Sequence, residues 1–592
     1  MEITITVNGN TVHANDSMTI MEAAQKNNIY IPSLCMDQHI NHTAGTCRIC
    51  VVEVEGAKNL LASCVTKARD GMVIYTNSPK VRKARKLIYE LLMSDHPQNC
   101  LFCERNQNCE LQRLGRILGV TESRISGEHS IAVYDVSPAI TRDTSKCILC
   151  RRCTDVCNNI QKVGAIQAQN RGFNTIISPA MGLPLTTTDC AMCGQCTVVC
   201  PTDALKETDG IVPVLKALEN KDKYVVVQTA PAVRAALGEE FSLPVGTDVT
   251  GKMVTALRLL GFKNVFDTNF AADLTIIEEV TELVERLKKA VAGEETVLPM
   301  MTSCSPGWIK HIEHEFPNEL GHLSSCKSPH TMMGAVIKSY FADKIGVAPE
   351  NIFVVSVMPC TAKKFEIQRP EMEVNGIRDV DAVLTTRELA RMIINEGIDF
   401  TALSDNDFDA PLGMSTGAGT IFGVTGGVME AALRTAYFYI TGRNLPYEGL
   451  HVTPIEGLSK IKTADITLND TLPEYKAFEG VTLKVAVTSG LDGADILMNE
   501  IAEGKSPYHF IEVMGCPGGC INGGGQPRPK EKDYEKKRMS ALYNADEQKE
   551  LRLSHLNTEV QELYSEFLGS AGGDKSHHLL HTHYTPRKKY NC

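Results

Sequence analysis

Two cysteine runs 43 residues apart constrain this chain more than any other feature. CILCRRCTDVC begins at Cys147 and CAMCGQCTVVCP begins at Cys190. Both have the spacing C-x2-C-x2-C-x3-C, which binds 4Fe-4S clusters in pairs, the fourth cysteine of each run ligating the other cluster. Residues 137–209 are therefore predicted to fold around two clusters. The predicted ligands are Cys147, Cys150, Cys153 and Cys200 for one cluster, and Cys190, Cys193, Cys196 and Cys157 for the other.

A second group of cysteines lies near the N-terminus, after the alternating segment MEITITVNG and the helical stretch TIMEAAQKNN. Its members are Cys35, Cys47, Cys50 and Cys64. Four thiols that include a C-x2-C pair suit a 2Fe-2S cluster. The order of strands, helix and cysteine loop predicts a β-grasp, ferredoxin-like domain over residues 1–78. A four-cysteine zinc site is the alternative, which the long first gap and the preceding helix disfavour.

A third group, in HPQNCLFCERNQNC, contains one histidine and three cysteines: His96, Cys100, Cys103 and Cys109. Spacing alone is equally compatible with zinc, and the histidine could simply end a helix. The position of the group between two other cluster domains favours a 4Fe-4S cluster. We therefore predict a one-histidine, three-cysteine 4Fe-4S domain over residues 79–125.

Charge and hydropathy exclude several classes of partner. The chain has 592 residues and a net charge of −11, and an acidic chain is a poor ligand for nucleic acid or an anionic membrane. No apolar run reaches the roughly 18–20 residues of a membrane span. No basic segment followed by an apolar one marks a signal peptide. The 21 cysteines therefore indicate metal ligation in the reducing cytoplasm rather than disulfides.

From about residue 220 the pattern changes to apolar, β-branched runs that alternate with helical segments. The runs are YVVVQTAP, TVLPMMTSC, NIFVVSVMPC and YHFIEVMGC, and their alternation with helices predicts an α/β core with largely parallel strands. Three runs end at Cys304, Cys360 and Cys516, and Cys520 follows one helical turn later. Ligands bind outside the carboxyl ends of such strands, so these thiols are expected to share one site.

Three long motifs at these strand ends match a family. TSCSPGW (302–308), MPCTAKKFE (358–366) and EVMGCPGGCINGGGQP (512–527) resemble the three signatures of the iron-only (FeFe) hydrogenases, whose larger members also share the N-terminal cluster domains. The resemblance implies an α/β H-cluster catalytic domain over 220–530 and a helical C-terminal segment over 531–592. It also implies an H-cluster, a 4Fe-4S cubane joined to a diiron unit with CO, cyanide and a bridging dithiolate.

The resemblance also implies roles for individual residues. Cys360, Cys516 and Cys520 are expected to ligate the cubane, with Cys520 bridging to the diiron unit. The expected surroundings of the diiron unit are Lys363 donating to a cyanide, and Met358, Met514 and Pro231 lining the pocket.

One position departs from the family pattern of two adjacent cysteines in the first motif, because Cys304 is followed here by Ser305. By position Cys304 matches the family's proton-transfer thiol and Ser305 its cubane ligand. Thiolate is nevertheless a better ligand for iron than hydroxyl. Cys304 is therefore predicted either to ligate the cubane or to relay protons.

The segment LTIIEEVTELVERLKKAV predicts an amphipathic helix, with Glu279, Glu282 and Arg286 along one stripe. Read from the residues alone, a charged stripe is usually a solvated face. The family's proton path has carboxylates, a serine and an arginine at matching positions, here Glu279, Glu282, Ser324 and Arg286. The resemblance thus implies that the stripe carries protons.

These features predict a hydrogenase that interconverts two protons and two electrons with H2. It would carry one 2Fe-2S cluster, three accessory 4Fe-4S clusters and the H-cluster. Two alternatives are a non-catalytic relative, either a sensor or an iron–sulfur assembly protein, and an electron-transfer subunit similar to the iron–sulfur arm of respiratory NADH dehydrogenases. Lys363, the glycine-rich third motif and the carboxylate path favour the enzyme, because an assembly protein would not need them. An electron-transfer subunit would explain only residues 1–210.

The electron partners are predicted from the domain order. No convincing G-x-G-x-x-G unit is present for a nicotinamide cofactor. The Cys–Ser pair and the domain order resemble catalytic subunits of NAD(P)-linked, electron-bifurcating hydrogenase complexes. The expected partners are a flavin- and NAD(P)H-binding iron–sulfur subunit, a small 2Fe-2S subunit and ferredoxin. The alternative is a single-chain enzyme that exchanges electrons with ferredoxin directly.

The C-terminal tail, HHLLHTHYTPRKKYNC, is rich in histidine. A metal site is one interpretation, but a helix and a strand that pack on the core is the preferred one. Cys326 is expected to be a core residue, and nothing in the sequence assigns a role to Cys592.

Overall fold

The structure is a computed structural model that describes residues 1–445, 453–455 and 458–588. Cys592 lies outside these residues. The chain divides into two compact units. The N-terminal unit comprises Met1–Thr188 and Gln195–Lys206, and the C-terminal unit comprises Asp189–Gly194 and the chain from Glu207 onward.

The N-terminal unit begins with a five-stranded sheet. Its strand order is Asn10–Asn15, Glu2–Val7, Val73–Tyr75, Val51–Val54 and Leu61–Ala62. The predicted alternation is realised, because Ile3, Ile5 and Val7 are all buried. Helix Ile20–Lys26 packs on the same core and starts with a capping box, in which Thr19 and Glu22 each accept from the other's backbone N–H.

The rest of the N-terminal unit consists of short elements around the cysteine groups. Its strands are Met36–Asp37, His42–Thr43, Tyr134–Val136, Ile140–Asp143, Gln167–Gln169, Ile176–Ser178 and Leu205–Glu207. Its helical segments are Pro79–Asp95, Cys100–Phe102, Glu110–Leu118, Thr144–Lys146, Arg152–Asp155, Val156–Ile160, Gly172–Asn174, Ala180–Gly182, Leu185–Thr187 and Gln195–Val199.

The C-terminal unit contains two sheets, and the first is fully parallel. Its strand order is Asn264–Asp267, Tyr224–Thr229, Ile352–Met358 and Ala382–Thr385. The strands are buried almost throughout, as expected for a parallel sheet covered by helices on both faces.

The second sheet is mixed. Its strand order is Met300–Met301, Phe510–Met514, Thr482–Ser489, Leu458–Thr467 and Thr453–Ile455. The first three strands are mutually parallel and the last two add antiparallel. The prediction of an α/β core with largely parallel strands is therefore confirmed.

Helices cover both sheets, and the longest is Thr268–Ala292, called the long helix below. The helical segments up to residue 351 are Ile211–Glu219, Pro231–Arg234, Leu237–Phe241, Thr250–Leu259, Thr268–Ala292, Pro306–Glu315, Leu320–His322, Pro329–Val336, Ile337–Phe341, Ala342–Ile345 and Pro349–Asn351. Those that follow are Ala362–Glu366, Thr386–Asn395, Phe400–Ala402, Gly417–Ile421, Gly427–Thr441, Pro473–Phe478, Leu491–Ala502, Cys520–Asn522, Tyr534–Gln548, Ser554–Leu556, Thr558–Leu563, Tyr564–Leu568 and Asp574–Leu580. A two-stranded hairpin pairs Glu373–Val374 with Ile377–Arg378.

The C-terminal tail packs on the core. Helix Asp574–Leu580 buries Leu579 and Leu580 in the main core cluster, and His581 pairs with Cys326 in an isolated β-bridge. Further along, Arg587 Nε lies 2.5 Å from a carboxylate oxygen of the buried Glu313. The preferred interpretation of the tail as a packing segment is therefore confirmed, and Cys326 is a core residue with 1% exposure.

Within the described ranges, none of the helices combines the length and the apolar character that crossing a membrane requires.

Candidate functional site

The four N-terminal cysteines lie together in the N-terminal unit. Cys35, Cys47, Cys50 and Cys64 are all buried. The Sγ atoms of Cys50 and Cys64 are 3.3 Å apart, and hydrogen bonds from Cys47 and Cys64 lower the pKa of Cys35. Four mutually facing sulfur donors match the ligand requirement of a 2Fe-2S cluster.

The one-histidine, three-cysteine group surrounds a cavity of about 600 Å³, which His96, Cys100, Cys103 and Cys109 help to line. His96 ends helix Pro79–Asp95, and its buried Nδ1 has no hydrogen-bond partner among the described residues. Burial lowers the pKa of His96 and so favours the neutral imidazole that binds metals. The cavity has room for a 4Fe-4S cluster.

One of the two predicted ligand sets of the repeat is assembled in the N-terminal unit. Cys147, Cys150, Cys153 and Cys200 line one small cavity. The fourth cysteine of the second run therefore lies beside the first three cysteines of the first run. Burial raises the pKa of Cys147 to about 12. Of the other set, Cys157 and Cys196 belong to the N-terminal unit and Cys190 and Cys193 to the C-terminal unit, so that set stays a prediction.

The cysteine loops of the repeat contain residues in the left-handed backbone conformation, which let the chain turn sharply. Leu149 and Arg151 have φ of 52° and 63° in the first run, and Met192 and Gly194 have φ of 55° and 70° at the equivalent positions of the second. Positive φ is uncommon for residues other than glycine. The repeat therefore extends from the cysteine spacing to the backbone conformation.

The catalytic motifs lie at the carboxyl ends of parallel strands in the C-terminal unit. Cys304 follows Met300–Met301, Cys360 follows Ile352–Met358, and Cys516 follows Phe510–Met514. Cys520 begins the short helix Cys520–Asn522. Met358 and Met514 are buried at the ends of two of these strands, and Pro231 is buried at the start of the helix that follows strand Tyr224–Thr229.

The thiols of Cys304, Cys360 and Cys520 are linked by electrostatic interactions. Burial, and next the charge of Cys360, raises the pKa of Cys520 to about 12. Burial also raises the pKa of Cys304, with further contributions from Glu279 and Cys520. Soft sulfur donors gathered in a dry interior suit an iron–sulfur cofactor.

The glycines of the third motif allow cysteine-bearing segments to approach each other. A Cβ on Gly523 would lie 2.1 Å from the carbonyl oxygen of Pro359, and one on Gly524 would lie 2.1 Å from the carbonyl oxygen of Cys193. Gly519 has φ of +92°, and a Cβ there would lie 2.8 Å from the Thr425 amide nitrogen. The glycines of this motif therefore allow its backbone to pack directly against the backbone of neighbouring segments.

Lys363 is a buried cation at the centre of the site. Its Nζ donates to the Cys304 carbonyl oxygen at 3.0 Å and lies 2.8 Å from Glu366, whose carboxylate is 2.6 Å from His330 Nε2. Burial alone would raise the pKa of Glu366, but Lys363 and His330 reverse this effect and lower it to about 2. Glu366 and His330 were not identified from the sequence.

Cys304 and Ser305 have different surroundings. The Ser305 hydroxyl oxygen accepts from the Gly515 N–H at 3.1 Å, next to Cys516. The Cys304 thiol lies where Glu279, Cys520 and Lys363 all influence its pKa. Cys304 is therefore the residue of the pair that faces both the other thiols and the carboxylate stripe.

The stripe on the long helix is largely buried, so the solvated-face interpretation is wrong for Glu279, which is 1% exposed. Burial and the neighbouring Glu282 raise the pKa of Glu279 to about 8, although Ser324 and the Ser303 amide act in the opposite direction. Both groups act on the carboxylate from nearby without meeting hydrogen-bond geometry, so neither carboxylate oxygen of Glu279 has a hydrogen-bond partner among the described residues. Glu285 lies off the stripe with its side chain 57% exposed.

Glu282 is held by hydrogen bonds on both carboxylate oxygens. Oε1 lies 2.6 Å from a guanidinium nitrogen of Arg286. Oε2 accepts from the Ser324 hydroxyl at 3.3 Å and from the amide and hydroxyl of Ser325 at 3.0 and 2.9 Å. Arg286 also donates to three backbone carbonyls, those of Val297, Gly321 and Leu323.

Three groups near the stripe were missed by sequence reasoning. Glu278 is fully buried and its carboxylate contacts His581, while Ser325 joins His581 to Glu282. Their contacts come from segments roughly 40 and 300 residues away, so no local pattern could reveal them.

Buried thiols at strand ends, a buried cation and iron–sulfur ligand sets upstream together define an iron–sulfur redox enzyme.

Family models match most of the chain. The iron-only hydrogenase large subunit, C-terminal domain, matches residues 223–524, and the iron hydrogenase small subunit matches 532–587. Upstream, a 2Fe-2S iron–sulfur cluster binding domain matches 1–79, the NADH-ubiquinone oxidoreductase-G iron–sulfur binding region matches 85–124, and a 4Fe-4S dicluster domain matches 146–204.

Known proteins show the same relationship. The chain is 50% identical to the NADP-reducing hydrogenase subunit HndD of Solidesulfovibrio fructosivorans, over 99% of both chains, and 41% identical to iron hydrogenase 1 of Clostridium pasteurianum, over 98% of this chain and 99% of that one. A solved FeFe-hydrogenase, HydA1 of Chlamydomonas reinhardtii, matches with 41% identity and a TM-score of 0.59, covering 64% of this chain and 99% of that chain. The chain belongs to the iron-only hydrogenase family, and it is a hydrogenase with accessory 2Fe-2S and 4Fe-4S domains.

Proposed function

We propose that this chain is the catalytic subunit of an NAD(P)-linked, electron-bifurcating hydrogenase complex in the cytoplasm. The observation that carries the proposal is the end-to-end similarity to a protein named as a subunit of an NADP-reducing hydrogenase. The Cys304–Ser305 pair supports it. The expected partners are a flavin- and NAD(P)H-binding iron–sulfur subunit, a small 2Fe-2S subunit and ferredoxin.

The catalytic cofactor would be held by the strand-end cysteines. We assign Cys360, Cys516 and Cys520 as cubane ligands, and Lys363 as the cation that holds an anionic cyanide, since a buried ammonium suits a buried anion. When bound, the H-cluster supplies the iron centre at which protons and electrons are converted to H2 and back. Met358, Met514 and Pro231 would form the apolar wall that excludes water from that centre.

Protons would reach the site along the long helix. We assign Cys304 as the first proton-carrying group beside the cofactor, followed by Glu279, Ser324 and Glu282. A pKa of about 8 lets Glu279 gain and lose a proton near neutral pH, which is what an acid–base relay requires. Arg286 keeps its proton at all accessible pH values, so it would position Glu282 and would not itself relay.

Electrons would pass through the N-terminal unit. We assign one 2Fe-2S cluster to the set that contains Cys35 and three 4Fe-4S clusters to the remaining three sets. Together they connect the partner subunits to the catalytic site.

The test is to isolate the native protein under anaerobic conditions and to identify what co-purifies. We expect a flavoprotein and a small 2Fe-2S protein, and H2-dependent reduction of NAD(P)+ that requires ferredoxin. The alternative is a single-chain enzyme, and the chain is also similar over nearly its whole length to a protein whose name mentions no subunit, iron hydrogenase 1. A protein that is isolated alone and exchanges electrons with ferredoxin at full rate would establish that alternative and refute the complex.

A further inference from the structure

The two carboxylate oxygens of Glu282 have different hydrogen-bond partners. Oε1 faces Arg286 at 2.6 Å, and a guanidinium cannot accept a proton because it never releases one. A proton that arrives at Glu282 therefore cannot continue through Arg286. It must leave from the Oε2 side or directly to water at the edge of the side chain, which is 16% exposed.

The Oε2 side leads through a serine to a histidine. Ser325 Oγ lies 2.9 Å from Glu282 Oε2 and 2.8 Å from Nδ1 of His581. The ligand atoms of Glu282, Cys326 and His581 all lie within 4.8 Å of one another. Among the residues that the structure describes, His581 is the imidazole that a single hydroxyl connects to Glu282.

The other ring nitrogen of His581 is fixed by Glu278. Nε2 lies 3.1 Å from the Glu278 carboxylate, and both side chains are at most 4% exposed. Burial would raise the pKa of Glu278, but hydrogen bonds from His581, Ser576 and Tyr564 prevail and lower it. An ionised carboxylate only accepts hydrogen bonds, so Nε2 carries its hydrogen. Nδ1 is then the nitrogen that can take up a proton from Ser325.

We propose that His581 is a proton-accepting residue on a branch of the proton route, connected to Glu282 through the Ser325 hydroxyl and oriented by Glu278. When Glu282 is a carboxylic acid, its proton passes to Ser325 Oγ while the hydroxyl proton of Ser325 passes to Nδ1. One proton is thereby moved, leaving Glu282 as carboxylate and His581 as imidazolium. The imidazolium then releases this proton to water at the edge of the residue, which is 9% exposed, and returns to the neutral ring. The branch rests on the proposed role of Glu282 in proton transfer.

The groups that face His581 are consistent with this role. The long helix contributes Glu278 and Glu282, two carboxylates that stabilise an imidazolium. Burial raises the pKa of the Cys326 thiol and of the Tyr564 hydroxyl, so both stay neutral near pH 7. On the tail helix, His577 stacks on His581 with ring centroids 4.6 Å apart and is itself exposed.

The experiment compares three variants of the complete, cofactor-loaded protein. His581→Asn keeps a polar group toward Ser325 but cannot take the proton. Ser325→Ala breaks the connection and leaves the His581–Glu278 pair in place, so it remains informative if His581→Asn does not fold. His578→Gln, an exposed histidine on the same helix, is the matched control.

Two readouts are used. Turnover of H2 with an artificial electron carrier is expected to fall about tenfold or more in His581→Asn and Ser325→Ala, and to be unchanged in His578→Gln. The infrared band of the Glu282 carboxylic acid, assigned by its loss in Glu282→Gln, is expected to titrate at higher pH in His581→Asn than in wild type. The reason is that His581 takes the proton from the neutral acid in wild type, and His581→Asn removes that acceptor.

The outcomes distinguish failure of the proposed role of Glu282 from failure of the histidine branch. If Glu282→Gln turns over like wild type, the proposed role of Glu282 is wrong. If Glu282→Gln is inactive while both branch variants match His578→Gln in turnover and in the titration of the band, protons leave Glu282 directly to water. The histidine branch is then refuted and the proposed function stands.

Discussion

Glu282 and Glu285 are a matched pair of residues on the long helix. Glu282 is enclosed by Arg286, Ser324 and Ser325, whereas Glu285 is exposed and pairs with Lys288 at 2.8 Å. Glu282→Gln keeps the shape of the side chain and removes its acid, so we expect H2 turnover to fall by roughly 10²-fold or more. Glu285→Gln is expected to stay near wild type. Equal behaviour of the two variants would refute the role of Glu282 in proton transfer.

A single substitution distinguishes the two possible roles of Cys304, proton relay and cubane ligand. If Cys304 relays protons, Cys304→Ala is expected to keep the full set of CO and cyanide infrared bands and to lose H2 turnover by roughly 10²-fold or more. The electrostatics favour this outcome, because burial and then Glu279 raise the pKa of Cys304, whereas the Ser305 hydroxyl accepts from the Gly515 N–H beside Cys516. Loss of the cubane signal in electron paramagnetic resonance would instead identify Cys304 as an iron ligand.

Lys363 and Lys364 offer a second matched pair, because both are buried cations with a carboxylate partner. Lys363 pairs with Glu366 at 2.8 Å, and Lys364 pairs with Glu388 at 2.7 Å. Breaking either buried pair is expected to cost about 3–5 kcal/mol of stability. Only Lys363→Ala is also expected to abolish the CO and cyanide bands while the accessory clusters remain. The role of Lys363 as an anchor is refuted if its variant retains the bands as fully as Lys364→Ala does.

At the scale of the element, the glycine-rich third motif depends on close backbone approach. A Cβ on Gly523 would lie 2.1 Å from a backbone carbonyl oxygen, which cannot move aside as a flexible side chain can, whereas a Cβ on Gly127 would meet nothing within 4 Å. Gly523→Ala is therefore expected to prevent assembly of the catalytic site, and Gly127→Ala to be neutral. Iron content and infrared spectra check this, and a fully loaded Gly523→Ala protein would contradict it.

The elements also show what the sequence could and could not predict. Strand ends at Cys304, Cys360 and Cys516 follow from local patterns, because an apolar run and its final residue are contiguous in the chain. The left-handed turns at Leu149 and Met192 do not follow, since neither residue is a typical choice for positive φ. The contact between Glu278 and His581 spans 303 residues, and only tertiary packing brings those two together.

For the whole molecule, the cluster assignments predict a metal content. One 2Fe-2S cluster, three 4Fe-4S clusters and the H-cluster amount to about 20 iron atoms per chain. Elemental analysis of the anaerobically matured protein measures iron and zinc together. A fully active preparation with one tightly bound zinc in place of about four iron atoms would show that the His96 site is a zinc site. The match of residues 85–124 to an iron–sulfur binding region favours iron.

The anchoring of the tail has a consequence for assembly. Residues 532–587 match a family model described as an iron hydrogenase small subunit, yet here they belong to the same chain as the catalytic domain. The contacts of Arg587 with Glu313 and of His581 with Glu278 are therefore made within one chain. A tethered segment has an effective concentration on the order of millimolar, so these buried carboxylates obtain their partners whatever the expression level or dilution of the protein.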